Sequence, residues 1–122
     1  MESAKFKADG TRHSMLIEGK ILQDANWLDS LGAIGIARAF ASGGHFNRVL
    51  YNPARKVRAK LPNKQYQQKQ ATTSLNYLQE KSLRVAQLLN TKTAQRIAQQ
   101  RVEYLKNFIQ QFLNEWDGLD LW

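Results

Sequence analysis

From Glu18 to Ala41 the chain is crowded with apolar residues. Ile21, Leu22, Ala25, Leu28, Leu31, Ile34 and Ile36 populate much of a helical circumference, which predicts a largely buried first helix over 18–41. Gly32, Ala33, Gly35 and Ala37 add a small-residue patch. Gly inside a helix costs roughly 1 kcal/mol relative to Ala, tolerable where another backbone must come close. Gly43-Gly44 is expected to end this helix, since glycine enters the left-handed conformation without steric penalty. The stretch from His45 to Ala71 contains Asn52-Pro53 and Leu61-Pro62, and proline pushes its predecessor toward extended backbone. A long irregular connection is predicted there. Thr72 or Thr73 offers a hydroxyl cap for a second helix, with Leu75, Leu78, Val85, Leu88 and Leu89 as its stripe. Asn90 or Thr91 separates it from a third. That third helix carries Ala94, Ile97, Ala98, Val102, Leu105, Phe108, Ile109, Phe112, Leu113 and Trp116 in steps of three, four and one, about six turns in all. Asp117-Gly118 closes it. No segment alternates with the period of a strand, so the fold class is all-α, with three main helices and a long basic loop.

Composition narrows the picture. A chain of 122 residues, 43% hydrophobic and 23% charged, suits one modest globular domain. The longest apolar run, Leu31 to Ala41, is interrupted by Arg38, so no bilayer-spanning segment is expected. Residues 1–17 read as a loose leader without the apolar core of a secretory signal, and a cytoplasmic setting is the expectation. The absence of cysteine excludes disulfides, thiolate metal sites and a thiol nucleophile. Net charge is +8, and it is concentrated: between His45 and Arg101 there are 12 Lys or Arg residues against one acid, Glu80. Arg48, Arg55, Lys56, Arg58, Lys60, Lys64 and Lys69, interleaved with Tyr51 and Tyr66, predict weak, salt-sensitive, nonspecific binding of polyanions such as nucleic acid. The plainer reading is a solvated basic surface.

The stretch GKILQDANWLDSLGAIGIARAFASGG, Gly19 to Gly44, resembles the last metal-site helix of the HD-domain phosphohydrolases, where a run of the form DADRLDAIGAIGIAR carries the final aspartate ligand. Asn26 stands at that ligand's position, with Asp29 its neighbour on the same helical side. Arg48-Val49-Leu50-Tyr51-Asn52-Pro53 is similar to the family's GG-x-x-x-R-P-L-Y-D-P segment. Thr72-Thr73-Ser74-Leu75-Asn76 resembles T-T-I-N-H, and Asn90 to Ala94 and Arg96 to Gly118 match the C-terminal helix. His13-Ser14 resembles the H-S-F-S turn. The resemblance runs in order from about Glu18 to Gly118, and no His-Asp dipeptide occurs anywhere. It implies a partial HD-like helical bundle over 18–122, the C-terminal half only. In intact relatives it implies a divalent metal and hydrolysis of a phosphate ester, such as that of a nucleotide.

A hydrolytic metal site needs several anionic or imidazole ligands converging on one ion. Asp24 is expected to point away from Asn26 and Asp29, and His13 and His45 have no partner at helical spacing. No catalytic residue, no metal ligand and no cofactor is therefore assigned to the chain alone. Arg38 and Arg48 match family arginines and are candidates for binding phosphate, as are Arg55, Lys56 and Arg58. Neither a phosphate-binding G-x-x-x-x-G-K-[ST] loop nor a G-x-S-x-G elbow is present. Trp27, where the family has Arg, suggests packing against something new. The readings in competition are a truncated phosphohydrolase homologue inactive alone, a basic helical module for anionic partners, and a structural subunit. The last would be covered by a second copy, as a homodimer, or by a completing chain.

Overall fold

The computed structural model describes residues 16–58 and 72–121. Everything regular in them is helical, and no helix among them is long and apolar enough to cross a membrane. The leader's first fifteen residues, with His13, lie outside the described set, as do Lys60, Lys64, Tyr66 and Lys69 of the basic loop.

The apolar run after Glu18 forms two helices rather than the single one its pattern predicts. Helix α1 spans Ile17–Leu28 and α2 spans Gly32–His45. The chain turns at Asp29–Leu31, where Ser30 N–H donates to Trp27 O and Leu31 N–H to Leu28 O. Gly32 has φ +68, a left-handed conformation that side chains resist, and Arg101 packs against its open side. The Arg101 guanidinium donates to Leu28 O at 2.9 Å, so it serves one of the carbonyls left free at the end of α1. Gly35 is constrained differently: a methyl there would collide with the Ser30 backbone. A break and a straight helix have the same apolar periodicity here, which is why the pattern alone runs through it.

The diglycine also acts otherwise than expected. Helix α2 continues to His45, and the left-handed residue is Asn47, φ 55. Asparagine tolerates that conformation better than most side chains. Gly43 is instead buried against Ser74, leaving no room for a side chain.

Helix α3, residues 74–88, begins as an α-turn (Ser74–Tyr77), widens over Leu78–Ser82 and tightens again over Ala86–Leu88. In the wide turn Leu83 N–H reaches back to Leu78 O. Its start leaves no donor idle. Ser74 and Leu75 N–H donate to Val49 and Leu50 carbonyls, Asn76 N–H to the Thr73 hydroxyl, and Tyr77 N–H to Thr73 O. Of the two candidate caps, Thr72 and Thr73, it is Thr73 that caps the helix. Helix α4, Lys92–Trp116, is the predicted long helix, capped by the Thr91 hydroxyl at Ala94 N–H and closed at Gly118, φ +72.

The helices meet around Leu31, Leu75, Leu78, Val85 and Leu105, all at or near zero exposure. Trp27 belongs to this same core at 4% exposure, so it packs within the chain and not against an outside surface. Burying a side chain of this kind contributes about 1.5–3 kcal/mol. At the far end of α4, Phe108, Phe112 and Trp116 stack along one side and meet Phe40 of α2 and Tyr51.

Candidate functional site

On α1, residues of similar chemistry have different surroundings. Asp24 is buried at 3% exposure. One carboxylate oxygen accepts from the Asn90 N–H (2.7 Å) and side-chain amide (2.9 Å), and the other from Thr91 N–H (2.9 Å). An anion at the first turn of a helix is favoured by the dipole, so Asp24 fixes α4 to α1. Asn26 and Asp29 are exposed on the opposite side. Among the described residues no three His, Cys, Asp or Glu side chains come together as a metal site would require. Asn26 and Asp29 alone offer one amide oxygen and one carboxylate, a donor set that does not fit a hydrolytic divalent ion. His45 lies exposed with its ring edge-on to Phe46.

The basic candidates separate. Arg58 is engaged by Glu80, 1% exposed, through two guanidinium bonds of 3.1 and 2.8 Å, and its N–H donates to the same carboxylate. A buried carboxylate without its cation is costly, so this pair anchors the basic loop to α3. Arg55 and Lys56 are exposed beside it, and Asn76 holds the Arg55 carbonyl at 2.9 Å. Arg48 is buried, its guanidinium 4.5 Å from the centre of the Tyr77 ring. Arg38 stands on the exposed side of α2 and reaches the Asp29 carbonyl at 3.4 Å.

Between the α1–α2 bend, α2 and α3 lies a cleft of about 160 Å³ that the sequence pattern did not reveal. Arg38, Ser42, Tyr77, Lys81 and Ser82 line it, with Asp29 at the bend. The Lys81 ammonium is 5.6 Å from the Tyr77 ring centre, on which Arg48 also rests. Lys81 and Ser82 belong to the widened turn of α3, and such turns recur at functional sites because they re-aim side chains. A sequence shows Lys81 only as one more cation on a helix.

These helices form an all-α, HD-like bundle. No family model matches the chain. It is 31% identical over 109 residues to the uncharacterised protein YpgQ of Bacillus subtilis, covering 89% of this chain and 45% of YpgQ. Among solved structures, an HD-superfamily hydrolase from Bacillus thuringiensis is 44% identical with a TM-score of 0.68, covering 84% of this chain and 48% of that one. A Lactobacillus plantarum protein superposes with a TM-score of 0.85 at 36% identity, over 96% of this chain and 57% of its own. YpgQ has also been solved in complex with ADP, with a TM-score of 0.63 at 33% identity over 83% of this chain and 44% of that one. The chain thus spans about half the length of the relatives it matches, their C-terminal half.

Proposed function

We propose that this chain supplies the C-terminal helices of an HD-type phosphohydrolase fold and does not hydrolyse phosphate esters on its own. The observation that carries this reading is Asn26. It projects from the exposed side of α1 where the resemblance places the final acidic ligand, and it brings an uncharged amide. The resemblance implies metal-dependent hydrolysis of a phosphate ester in intact relatives, and the ADP held by YpgQ favours a nucleotide. The test is turnover of nucleotides and an aryl phosphate with manganese, nickel or magnesium. Activity at background is expected, and Asn26→Asp alone should not raise it. Metal-dependent turnover abolished by Asn26→Ala or Asp29→Ala overturns the reading.

The exposed side of α1 favours a second reading, a subunit completed by another chain. Ile17 and Ile21 are 58% and 56% exposed there. In that case activity would appear on mixing with the chain that carries the missing His and His-Asp motifs, and not before.

A further inference from the structure

We infer that the groove along the outer end of α4 docks a basic amphipathic helix of a partner protein. None of its residues lies on α1, so the inference stands whether or not the reading of Asn26 holds. The groove measures about 340 Å³ and is lined by Leu50, Phe108, Gln111, Phe112, Glu115 and Trp116. Phe108, Phe112 and Trp116 are spaced four residues apart on α4, so they form one stripe about 12 Å long, roughly two helical turns. Phe40 and Tyr51 hold these rings in place, while Leu50 and Trp116 remain exposed beside them. Leu119 and Leu121, in the turn after α4, add to the exposed apolar surface. A preformed apolar stripe of this length is what a helix laid into a groove requires.

Charge selects the occupant. From Asn107 onward the sequence holds Glu115, Asp117 and Asp120 and no Lys or Arg, although the whole chain is +8. These carboxylates stand at the C-terminal end of a 25-residue helix that has no basic residue in its last turn. That end is the negative pole of the helix and favours cations, so acids placed there work against it. The Gln111 amide donates to the Glu115 carboxylate at 2.8 Å and restrains it beside the rings. Trp116, of the ring type best suited to a cation–π contact, is exposed next to it. Arg48, the cation nearest to Leu50 in sequence, is buried on the Tyr77 ring. An acidic groove repels nucleic acid and anionic lipid, and pairing it with its own copy would set like charges face to face. A helix with one apolar face flanked by Lys or Arg answers the stripe, the carboxylates and the negative helix pole together.

The full chain should be titrated into a fluorescently labelled peptide of about 18 residues, five helical turns, with Leu at i, i+3, i+4 and i+7 and Lys elsewhere. A second peptide keeps the Leu positions and carries Glu in place of every Lys. Anisotropy in about 0.15 M salt, where exposed charges are screened beyond roughly 8 Å, reads the binding. The Lys peptide should saturate, and the Glu peptide should bind about tenfold more weakly or worse. That order is the reverse of what the +8 of the whole chain alone would give. Leu50→Ser and Glu115→Lys should each weaken the Lys peptide by about fivefold or more. Glu115→Lys sets a cation at the negative helix end and should raise Tm, so its lost binding does not come from lost folding. Ile21→Ser, the same kind of change in the groove between α1 and α4, should alter affinity by less than about twofold. No saturable binding, a Glu peptide held as tightly as the Lys one, or an equal loss in Ile21→Ser would each overturn the assignment. So would a chain mass that falls from two copies to one in Leu50→Ser, which would give the groove to a second copy.

Discussion

Asp24 and Asn26 differ by one atom's chemistry and are two residues apart on α1, yet they answer to different demands. The inward carboxylate satisfies backbone donors of Asn90 and Thr91, while the outward amide meets water. Asp24→Ala would take the acceptor from those half-buried donors, so a loss of about 2–4 kcal/mol is expected in urea unfolding. Asn26→Ala should stay within about 0.5 kcal/mol, as exposed substitutions do. Equal losses would show that the two side chains are not divided in this way. The pattern allowed both residues to be located on a helix and Asp24 to be turned away from Asn26. It did not reveal that Asp24 caps a partner helix, because the acceptor and its donors are separated by 66 and 67 residues in sequence.

At the scale of elements, the glycines give opposed expectations. Gly32→Ala forces a left-handed alanine against Arg101 and should destabilise by about 1–2 kcal/mol. Gly44 is helical, and a methyl there meets nothing within 4 Å. Gly44→Ala should therefore stabilise, by about 0.4–1 kcal/mol, through a less free unfolded chain. Thermal melts of the two variants shifting in the same direction would contradict this account of α2. Helix α4 and a threonine cap at 72 or 73 were legible because a cap and a continuous stripe are local signals, whereas Thr91 reads only as a boundary and not as the cap it is. The break at Asp29–Leu31 was not legible, since a left-handed Gly32 and a helical one are the same letter. Nor was the cleft, which exists only once the bend, α2 and the widened turn of α3 are brought together.

For the whole molecule, the open question is what covers the outer side of α1. Beside Ile17 and Ile21 runs an apolar groove of about 380 Å³ between α1 and α4, lined by Ile21, Ala25, Leu28, Ala94 and Ile97. Soluble monomers rarely leave contiguous apolar patches larger than a few hundred Å² in water. We expect a second copy to cover it, because pairing of one patch with itself is the commonest route to closure. Charge opposes that contact, since each chain carries +8. Salt shortens the reach of this repulsion to about 8 Å at 0.15 M, so self-association should strengthen as salt rises. Polyanion binding by the basic loop would do the reverse, releasing counterions and weakening with salt. Light scattering over a dilution series at low and high salt separates the two. The expected mass at high salt is twice the 14.0 kDa of one chain. Ile21→Glu, a change at an exposed position, should return it to a single chain without loss of helicity. A mass that stays at one chain at every concentration and salt would show that water tolerates this face. An association that weakens with salt would place the contact on charged surface, away from α1.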